Sequence, residues 1–288
     1  MTDPQAADVL HDHFAGALPG RAAGVRFLFR ARRRRISSWL WNAVVLLSMS
    51  SLVSCHPQAA RGIDPETEFR KQPQLWTVCG SSVEGRPIRL SEQGNGDHTV
   101  LIFGSLHGDE EVGGLLVARL AEFVSSGMQR GINGKIVFVP VVNPDGVSAG
   151  RRWNANGVDI NRNFPTENWQ KEDSDGRPRH GNAPASEPET RLMMALIDRY
   201  KPGLIIALHA PLHVVNYDGP AREIAEQMGE RNGYPVSGSI GYPTPGSLGT
   251  YAGVERGIPI ITLELPRVDV DEAWEQNCDA LLFAVGLR

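Results

Sequence analysis

Short apolar runs alternate with amphipathic stretches along most of this chain. Apolar residues at helical spacing predict helices over 110–125, from 186 to about 200, over 220–232 and from about 271 to the C-terminus. Continuous apolar runs predict buried strands over 98–105, 135–143, 203–209 and 258–264. Strands that alternate with helices indicate an α/β fold, a three-layer sandwich with a mixed, mostly parallel sheet and helices on both faces.

Local signals refine this outline. The segment Thr77–Leu90 predicts two strands around a Glu84-Gly85 turn. Ser186-Glu-Pro-Glu189 has the pattern of a capping box with an early proline, so we expect it to open the helix that follows. The polar stretch 167–184 is predicted to be a long surface loop.

Composition describes an ordinary globular protein with an unusual N-terminus. The 288 residues are 41% hydrophobic, which is enough for a full core. Residues 1–36 contain seven Arg and three Asp, a net charge of +4. Because the net charge of the whole chain is −4, the remaining residues carry a net charge of −8. Because this acidic remainder has no basic stripe with interleaved aromatic residues, nucleic acid is not expected as a partner. No protein partner is predicted either.

The N-terminus has the order of a secretory signal. The basic stretch Arg30–Arg35 precedes 19 uncharged residues, 36–54, and then Cys55. Leu52-Val-Ser-Cys55 also resembles the lipobox of bacterial lipoproteins, in which the cysteine is lipidated. The N-terminus therefore predicts export to the periplasm and membrane anchoring through lipidated Cys55.

This interpretation divides the chain into three parts: a signal peptide with lipobox over 1–55, a polar tether over 56–73 and a catalytic domain over 74–288. Two alternatives remain open. The apolar run would be an uncleaved signal anchor, or the start is misassigned, in which case the protein is cytoplasmic.

Candidate metal chemistry lies where predicted strands end. His107-Gly-Asp-Glu110 is an H-x-x-E pair that lets an imidazole and a carboxylate converge on one ion, although such a tetrapeptide alone is more often a surface pair. His209 ends another buried strand and would reach the same sheet edge. Two histidines and a glutamate leave a fourth position open, which is typical of catalytic zinc. We therefore expect one Zn²⁺ ion.

Glu264 ends a further apolar strand at that edge. A charge in so apolar a strand is costly unless it is used or paired. It is therefore either a catalytic group or a buried carboxylate with an arginine partner.

Together, several strings resemble the zinc metallocarboxypeptidases and, within them, the murein peptide amidases. The resemblance runs in family order from about residue 75 to the C-terminus. The matching strings are His107-Gly-Asp-Glu110, Asn143-Pro-Asp-Gly146, Arg152-Trp-Asn-Ala-Asn-Gly-Val-Asp-Ile-Asn-Arg-Asn-Phe-Pro165, Ser186-Glu-Pro-Glu-Thr190, His209-Ala-Pro-Leu212, Tyr242-Pro-Thr-Pro-Gly-Ser247 and Thr262-Leu-Glu-Leu-Pro266.

The resemblance implies a role for each catalytic candidate. His107, Glu110 and His209 would hold zinc, and Glu264 would be the general base. Arg152 would stabilise the oxyanion, with Arg151 as the alternative if the register slips by one residue.

It also implies a substrate-binding set. Asn161 and Arg162 would bind the terminal carboxylate of the substrate, although alone they read as a solvated turn. Tyr242 would lie over the substrate or, given its neighbouring prolines, serve in packing. The family has a cis peptide where this chain has Ala210-Pro211.

Murein peptide amidases cleave the bond between γ-D-glutamate and meso-diaminopimelate, so a murein peptide or peptidoglycan fragment is the expected partner. We expect an acidic group in the pocket for the distal ammonium of diaminopimelate, and the sequence does not identify it. Familiar members of this branch recycle peptides in the cytoplasm, whereas this N-terminus predicts export. Remodelling of the cell wall is therefore an alternative to recycling.

Other functions remain open. They are a broad-specificity metallocarboxypeptidase acting on ordinary C-terminal residues, an aspartoacylase-like deacylase and a catalytically silent wall-binding lipoprotein. Cys79 and Cys278 would form a disulfide in the periplasm or remain as buried thiols.

Overall fold

The computed structural model describes residues 65–127, 134–177 and 179–287. The predicted signal peptide, Cys55 and the tether as far as residue 64 lie outside the described residues. The α-helices are α1 Pro65–Lys71, α2 Glu111–Ser125, α3 Pro144–Ala149, α4 Pro188–Tyr200, α5 Arg222–Asn232 and α6 Val270–Ala284. The strands are β1 Thr77–Ser81, β2 Pro87–Gly94, β3 Thr99–Phe103, β4 Lys135–Val139, β5 Leu204–His209, β6 Val214–Asp218, β7 Val236–Ser237 and β8 Ile260–Glu264.

The strands form one mixed sheet of eight in the order β1-β2-β4-β3-β5-β8-β6-β7. The four central strands β4, β3, β5 and β8 are parallel. Antiparallel pairs occur towards the edges, where β2 pairs with β4 and β6 pairs with β8. The predicted fold class is confirmed.

Alternate residues of the central strands feed two hydrophobic cores, one on each face of the sheet. In β3, Ile102 faces α2, α5 and α6, whereas Leu101 and Phe103 face α4. All three side chains are fully buried. This burial on both faces explains why the strands read as continuous apolar runs rather than as alternating ones.

The sheet edge beyond β8 was not predicted. Strand β6 has only five residues, and two of them, Asn216 and Asp218, are polar residues on the face opposite the core that contains Val215. Helix α3 and a π-helical turn over Gly249–Val254 were also missed. These short elements carry weak periodic signals because they are shorter than the windows in which periodicity is reliable.

The predicted capping box at the start of α4 is wrong. Glu187 is the N-cap residue, and its side chain accepts no capping hydrogen bond. Ser186 donates its hydroxyl to Glu187 Oε1 at 2.6 Å, and the backbone NH of Val83 donates to Glu189 Oε1 at 3.1 Å. Glu189 therefore connects the β1–β2 turn to α4 instead of capping its own helix.

The folded part begins before the predicted boundary at residue 74. Helix α1 lies within the segment expected to be a tether, and its Phe69 is buried in the core. The Phe69 and Trp76 rings pack edge to face with centroids 5.1 Å apart. One aromatic side chain at the right position thus extends the domain into a stretch of otherwise polar sequence.

Two further findings concern the N-terminal hypothesis. Across 65–127, 134–177 and 179–287, no helix combines the length and the apolar character of a membrane span. Cys79 and Cys278 are both free thiols. Burial raises the pKa of Cys79 to about 11, so this thiol stays protonated at neutral pH.

Candidate active site

Three segments that follow or end parallel strands meet at one edge of the sheet. His107 and Glu110 lie in the turn that joins β3 to α2, His209 is the last residue of β5, and Glu264 is the last residue of β8. His209 and Glu264 are register partners on adjacent strands. Because side-by-side parallel strands bring their carboxyl ends to the same edge, groups distant in sequence converge here.

The turn that carries His107 and Glu110 depends on a glycine. A Cβ atom on Gly108 would lie 1.9 Å from the carbonyl carbon of Gly146 in α3. Only a residue without a side chain allows the two backbones to approach this closely. Gly108 therefore fixes the position of both ligand candidates against α3.

The ligand candidates are in contact with one another. The Nδ1 atoms of His107 and His209 are 3.1 Å apart, and they lie 2.8 Å from Oε1 and Oε2 of Glu110, respectively. Zinc bonds of about 2.1 Å in a tetrahedron would place such atoms about 3.4 Å apart. The nitrogen and oxygen donors of these three buried residues therefore fit a zinc ion.

Electrostatics favours a positive charge at the same place. Burial alone would lower the pKa of His107, but the carboxylates of Asp159 and Glu110 raise it to about 9. Burial would raise the pKa of Glu110, yet the two histidines hold it well below its usual range. A cluster that holds a proton this firmly also stabilises a metal cation.

Asp159 is a site residue that the sequence did not reveal. Its Oδ1 lies 3.1 Å from His107 Nε2, and its Oδ2 accepts a hydrogen bond of 2.9 Å from Arg152 Nε. Burial alone would raise the pKa of Asp159, but the charges of His107 and Arg152 keep this pKa well below its usual value. A carboxylate behind a ligand histidine orients the ring and increases its basicity. The only sequence signal was its position two residues before Asn161-Arg162 in a matched string.

Glu264 lies close to the three ligand candidates without belonging to their cluster. It is 7% exposed, and the backbone NH of Leu212 donates to its Oε2 at 3.4 Å. Burial raises its pKa, partly opposed by the charge of His209. No arginine among the described residues pairs with it. The alternative of a structural ion pair is therefore not what the structure shows.

The structure distinguishes the two neighbouring arginines. Arg152 lines the cleft and reaches towards Glu110, with Nη1 3.4 Å from Oε1. Arg151 is exposed and donates to the carbonyl of Asn154 at 3.2 Å. Of these two arginines, Arg152 is the one whose guanidinium lies beside the ligand cluster.

The cluster opens into a cleft of about 280 Å³. Asn161 and Arg162 line it from a 3₁₀ turn, Ile160–Arg162. The backbone NH of Leu248 donates to Asn161 Oδ1 at 2.9 Å, which leaves the amide NH₂ group available as a donor. Tyr242 lies at the mouth and is 52% exposed. The Ala210-Pro211 peptide, which also lines the cleft, is cis, as the resemblance implied.

Comparison with known proteins accounts for this arrangement. The family model described as zinc carboxypeptidase matches residues 67–224. The chain belongs to the zinc carboxypeptidase family. This zinc carboxypeptidase is 34% identical over 237 residues to murein peptide amidase A of Escherichia coli (strain K12), covering 78% of this chain and 92% of the relative. It is 32% identical over 247 residues to murein peptide amidase A of Vibrio campbellii, covering 81% and 96%.

Solved structures show the same relationship. The crystal structure of murein-tripeptide amidase from E. coli O157 is similar to this zinc carboxypeptidase with a TM-score of 0.65 and 30% identity, covering 80% of this chain and 95% of that one. Carboxypeptidase A from Helicoverpa armigera shares the fold with a TM-score of 0.63 at 21% identity, covering 77% of this chain and 70% of that one. Family membership implies zinc, and among the residues that the structure describes the group that fits it is His107, Glu110 and His209.

Proposed function

We propose that this zinc carboxypeptidase hydrolyses the amide bond between γ-D-glutamate and meso-diaminopimelate in murein peptides. The observation that carries the proposal is the cleft itself, in which the ligand cluster and Glu264 adjoin a carboxylate-binding pair, Asn161 and Arg162. Such a cleft suits a substrate with a free carboxylate next to the scissile bond. The names of the two amidase relatives support a murein peptide as the substrate.

Each residue has a task that its geometry permits. A zinc ion held by His107, Glu110 and His209 would supply a Lewis acid that activates water and polarises the scissile carbonyl. Glu264, whose pKa is raised by burial, would accept a proton from water and deliver it to the leaving amine of diaminopimelate. The guanidinium of Arg152 would stabilise the negative charge that develops on the carbonyl oxygen.

The remaining residues would orient the substrate. Arg162 loses solvation on burial, which lowers its pKa and leaves its guanidinium ready to bind an anion in place of water. Arg162 and the amide of Asn161 would hold the α-carboxylate of diaminopimelate. Tyr242 is exposed at the mouth, where a bound substrate would cover it.

A second candidate is a broad-specificity metallocarboxypeptidase. It is favoured by the fact that Asn161 and Arg162 are suited to a carboxylate that every C-terminal residue carries. The two candidates differ in the acyl side of the bond, which is a γ-linked D-residue in one and an α-linked L-residue in the other.

Mass spectrometry of the full-length, zinc-loaded protein with L-Ala-γ-D-Glu-meso-diaminopimelate tests the main proposal. We expect free diaminopimelate to appear, and to disappear with a chelator or in the Glu264→Gln variant. An intact tripeptide alongside cleavage of a hippuryl-amino acid would support the broad carboxypeptidase instead. No cleavage of either substrate would favour a catalytically silent protein.

We also propose that residues 1–55 direct export and that lipidated Cys55 anchors the enzyme to a membrane, so that it meets peptidoglycan or its fragments outside the cytoplasm. The support is the order of basic, uncharged and cysteine-containing segments. We expect the wild type to incorporate labelled fatty acid and Cys55→Ser not to. Recovery of both forms from the cytoplasm without label would contradict export.

A further inference from the structure

The floor of the cleft is a strip of sheet formed by β6 and β8. Directly opposite residues of an antiparallel pair share a face, and so do alternate residues of one strand. Val214 is opposite Glu264, and Asn216 is opposite Thr262. The strip therefore begins at the catalytic Glu264 and ends at Asp218, the last residue of β6.

Asp218 is the one acidic side chain of the described cleft lining that is not at the metal cluster. The other two, Glu110 and Glu264, are next to His209. Within the described part of the chain, the Asp218 carboxylate has no hydrogen-bond or ion-pair partner. Burial alone raises its pKa. A partly buried carboxylate without a partner costs free energy that a bound cation would recover.

The π-helical turn at Gly249 leaves space for this carboxylate. A Cβ atom on Gly249 would lie 2.3 Å from Asp218 Oδ2, and one on Gly253 would lie 2.6 Å from Asp218 Cβ. The turn therefore packs its bare backbone against the acid, and no side chain from these positions covers it. Single π-turns are frequent at functional sites.

The strip also sets a distance. Asp218 is four residues beyond Val214, so its backbone lies about 13 Å along the strand from the row that contains Glu264. An amine five bonds from an α-carbon extends roughly 6 Å from it. A charge-assisted hydrogen bond of about 2.8 Å and the length of the aspartate side chain account for most of the remaining distance between the substrate amine and the Asp218 backbone. Diaminopimelate and lysine both carry an amine at this position.

We propose that Asp218 binds the distal ammonium group of the substrate's C-terminal residue and so selects residues with an amine five bonds from the α-carbon. This inference rests on the proposed function for its natural ligand, meso-diaminopimelate. It identifies the acid that the substrate requires. It also makes the ammonium, rather than the distal carboxylate, the group that the pocket recognises.

The test compares kcat/KM on L-Ala-γ-D-Glu peptides ending in meso-diaminopimelate, L-lysine, L-norleucine or L-2-aminopimelate. Norleucine lacks the amine at equal chain length, and 2-aminopimelate has the carboxylate without the amine. We expect wild type to prefer the two amine-bearing residues. Asp218→Asn should lower kcat/KM for these two by about 10- to 100-fold, chiefly through KM, and leave norleucine unchanged. Asp97→Asn, an exposed aspartate in the β2–β3 turn, is the matched control.

Asp218→Glu tests the distance. The added methylene should shift preference from lysine towards ornithine, whose amine is one bond closer to the α-carbon. An equal loss on all substrates in Asp218→Asn would show a structural role, and equal wild-type activity on lysine and norleucine would overturn the proposal.

Running the same series on hippuryl peptides separates this inference from the proposed function. Suppose that only hippuryl peptides are cleaved, and that kcat/KM for lysine exceeds that for norleucine in wild type but not in Asp218→Asn. The role of Asp218 is then supported, and the murein substrate is rejected. If no peptide is cleaved, calorimetric titration with free meso-diaminopimelate and with 2-aminopimelate decides. Binding of the first that is lost in Asp218→Asn supports the inference, and equal binding of both by wild type and variant overturns it.

Discussion

The two ends of the cleft are built in opposite ways. At the metal end, His107 and Glu110 contact several polar partners, and Asp159 contacts both His107 and Arg152. At the far end, Asp218 has no partner within the described residues, and Tyr242 is half exposed. The proposed catalytic groups are thus held in place before substrate arrives, whereas the proposed recognition group would gain its partner only from the substrate.

This difference has an energetic reason. Catalysis benefits from charges that need no reorganisation during the reaction, so a rigid network at the metal end would lower the barrier. Selectivity benefits from a polar group that remains unpaired when the wrong substrate binds, because the free-energy cost of the unpaired group weakens binding of that substrate alone. Variants at the metal end should therefore affect all substrates alike, and variants at the far end should depend on the substrate.

The largest effect is expected from His209→Ala. Removing one of three ligand candidates should abolish stoichiometric zinc binding and turnover on every substrate, because the remaining two donors hold zinc weakly. Metal analysis after dialysis together with peptide turnover measures both, and His98→Ala, an exposed histidine in the β2–β3 turn, is the control. A variant that retains one zinc per chain would exclude His209 as a ligand.

Glu264→Gln should separate chemistry from metal binding. We expect normal zinc content and a loss of turnover of about 10²- to 10⁴-fold on all substrates, since the amide cannot accept the proton. The measurement is kcat beside zinc content in the same preparation. Normal turnover would contradict the proposed mechanism.

Asp159→Asn tests the support behind the metal. An amide orients the His107 ring less firmly and lacks the charge, so zinc affinity should fall by about 10- to 100-fold. Competition with a chromophoric chelator measures this affinity, and Asp97→Asn controls for the change of charge. Unchanged affinity would make Asp159 a purely structural residue.

The smallest effect concerns pH at the far end. Burial raises the pKa of Asp218, so acidification through that pKa protonates the carboxylate and removes its attraction for an ammonium. The ratio of kcat/KM for lysine to that for norleucine should therefore decline as pH falls, and reach its full value above the raised pKa. Because both substrates share the titration of Glu264, its effect cancels in the ratio. A ratio independent of pH down to the ordinary aspartate range would contradict the role of Asp218.

Much of the metal end could be predicted from the sequence. Strands β3, β5 and β8 are buried on both faces, so they appear as apolar runs, and the polar residues that follow or end them stand out. His107, Glu110, His209 and Glu264 were found in this way, and the structure brings the first three within 4.8 Å of one another. The string from Arg152 to Pro165 added specificity that no single residue has.

Other features depend on contacts that local sequence does not encode. Ser186 and Glu189 have the spacing of a capping box, but the backbone of Val83 competes for Glu189 from 106 residues away. Phe69 lies in polar sequence and becomes part of the core only through Trp76 and its neighbours.

The sequence by itself determined the family, the order of the central strands along the chain and the candidates for chemistry, because these follow from periodicity and from short motifs. The tertiary structure alone decided that Asp159 lies behind His107 and that Asp218, at the end of the cleft, has no polar partner among the residues that the structure describes. Both aspartates owe their environment to neighbours from distant segments, which are His107 and Arg152 for Asp159 and Ile260 and Gly249 for Asp218. Whether a carboxylate is paired or unpaired depends on which segments the fold brings beside it.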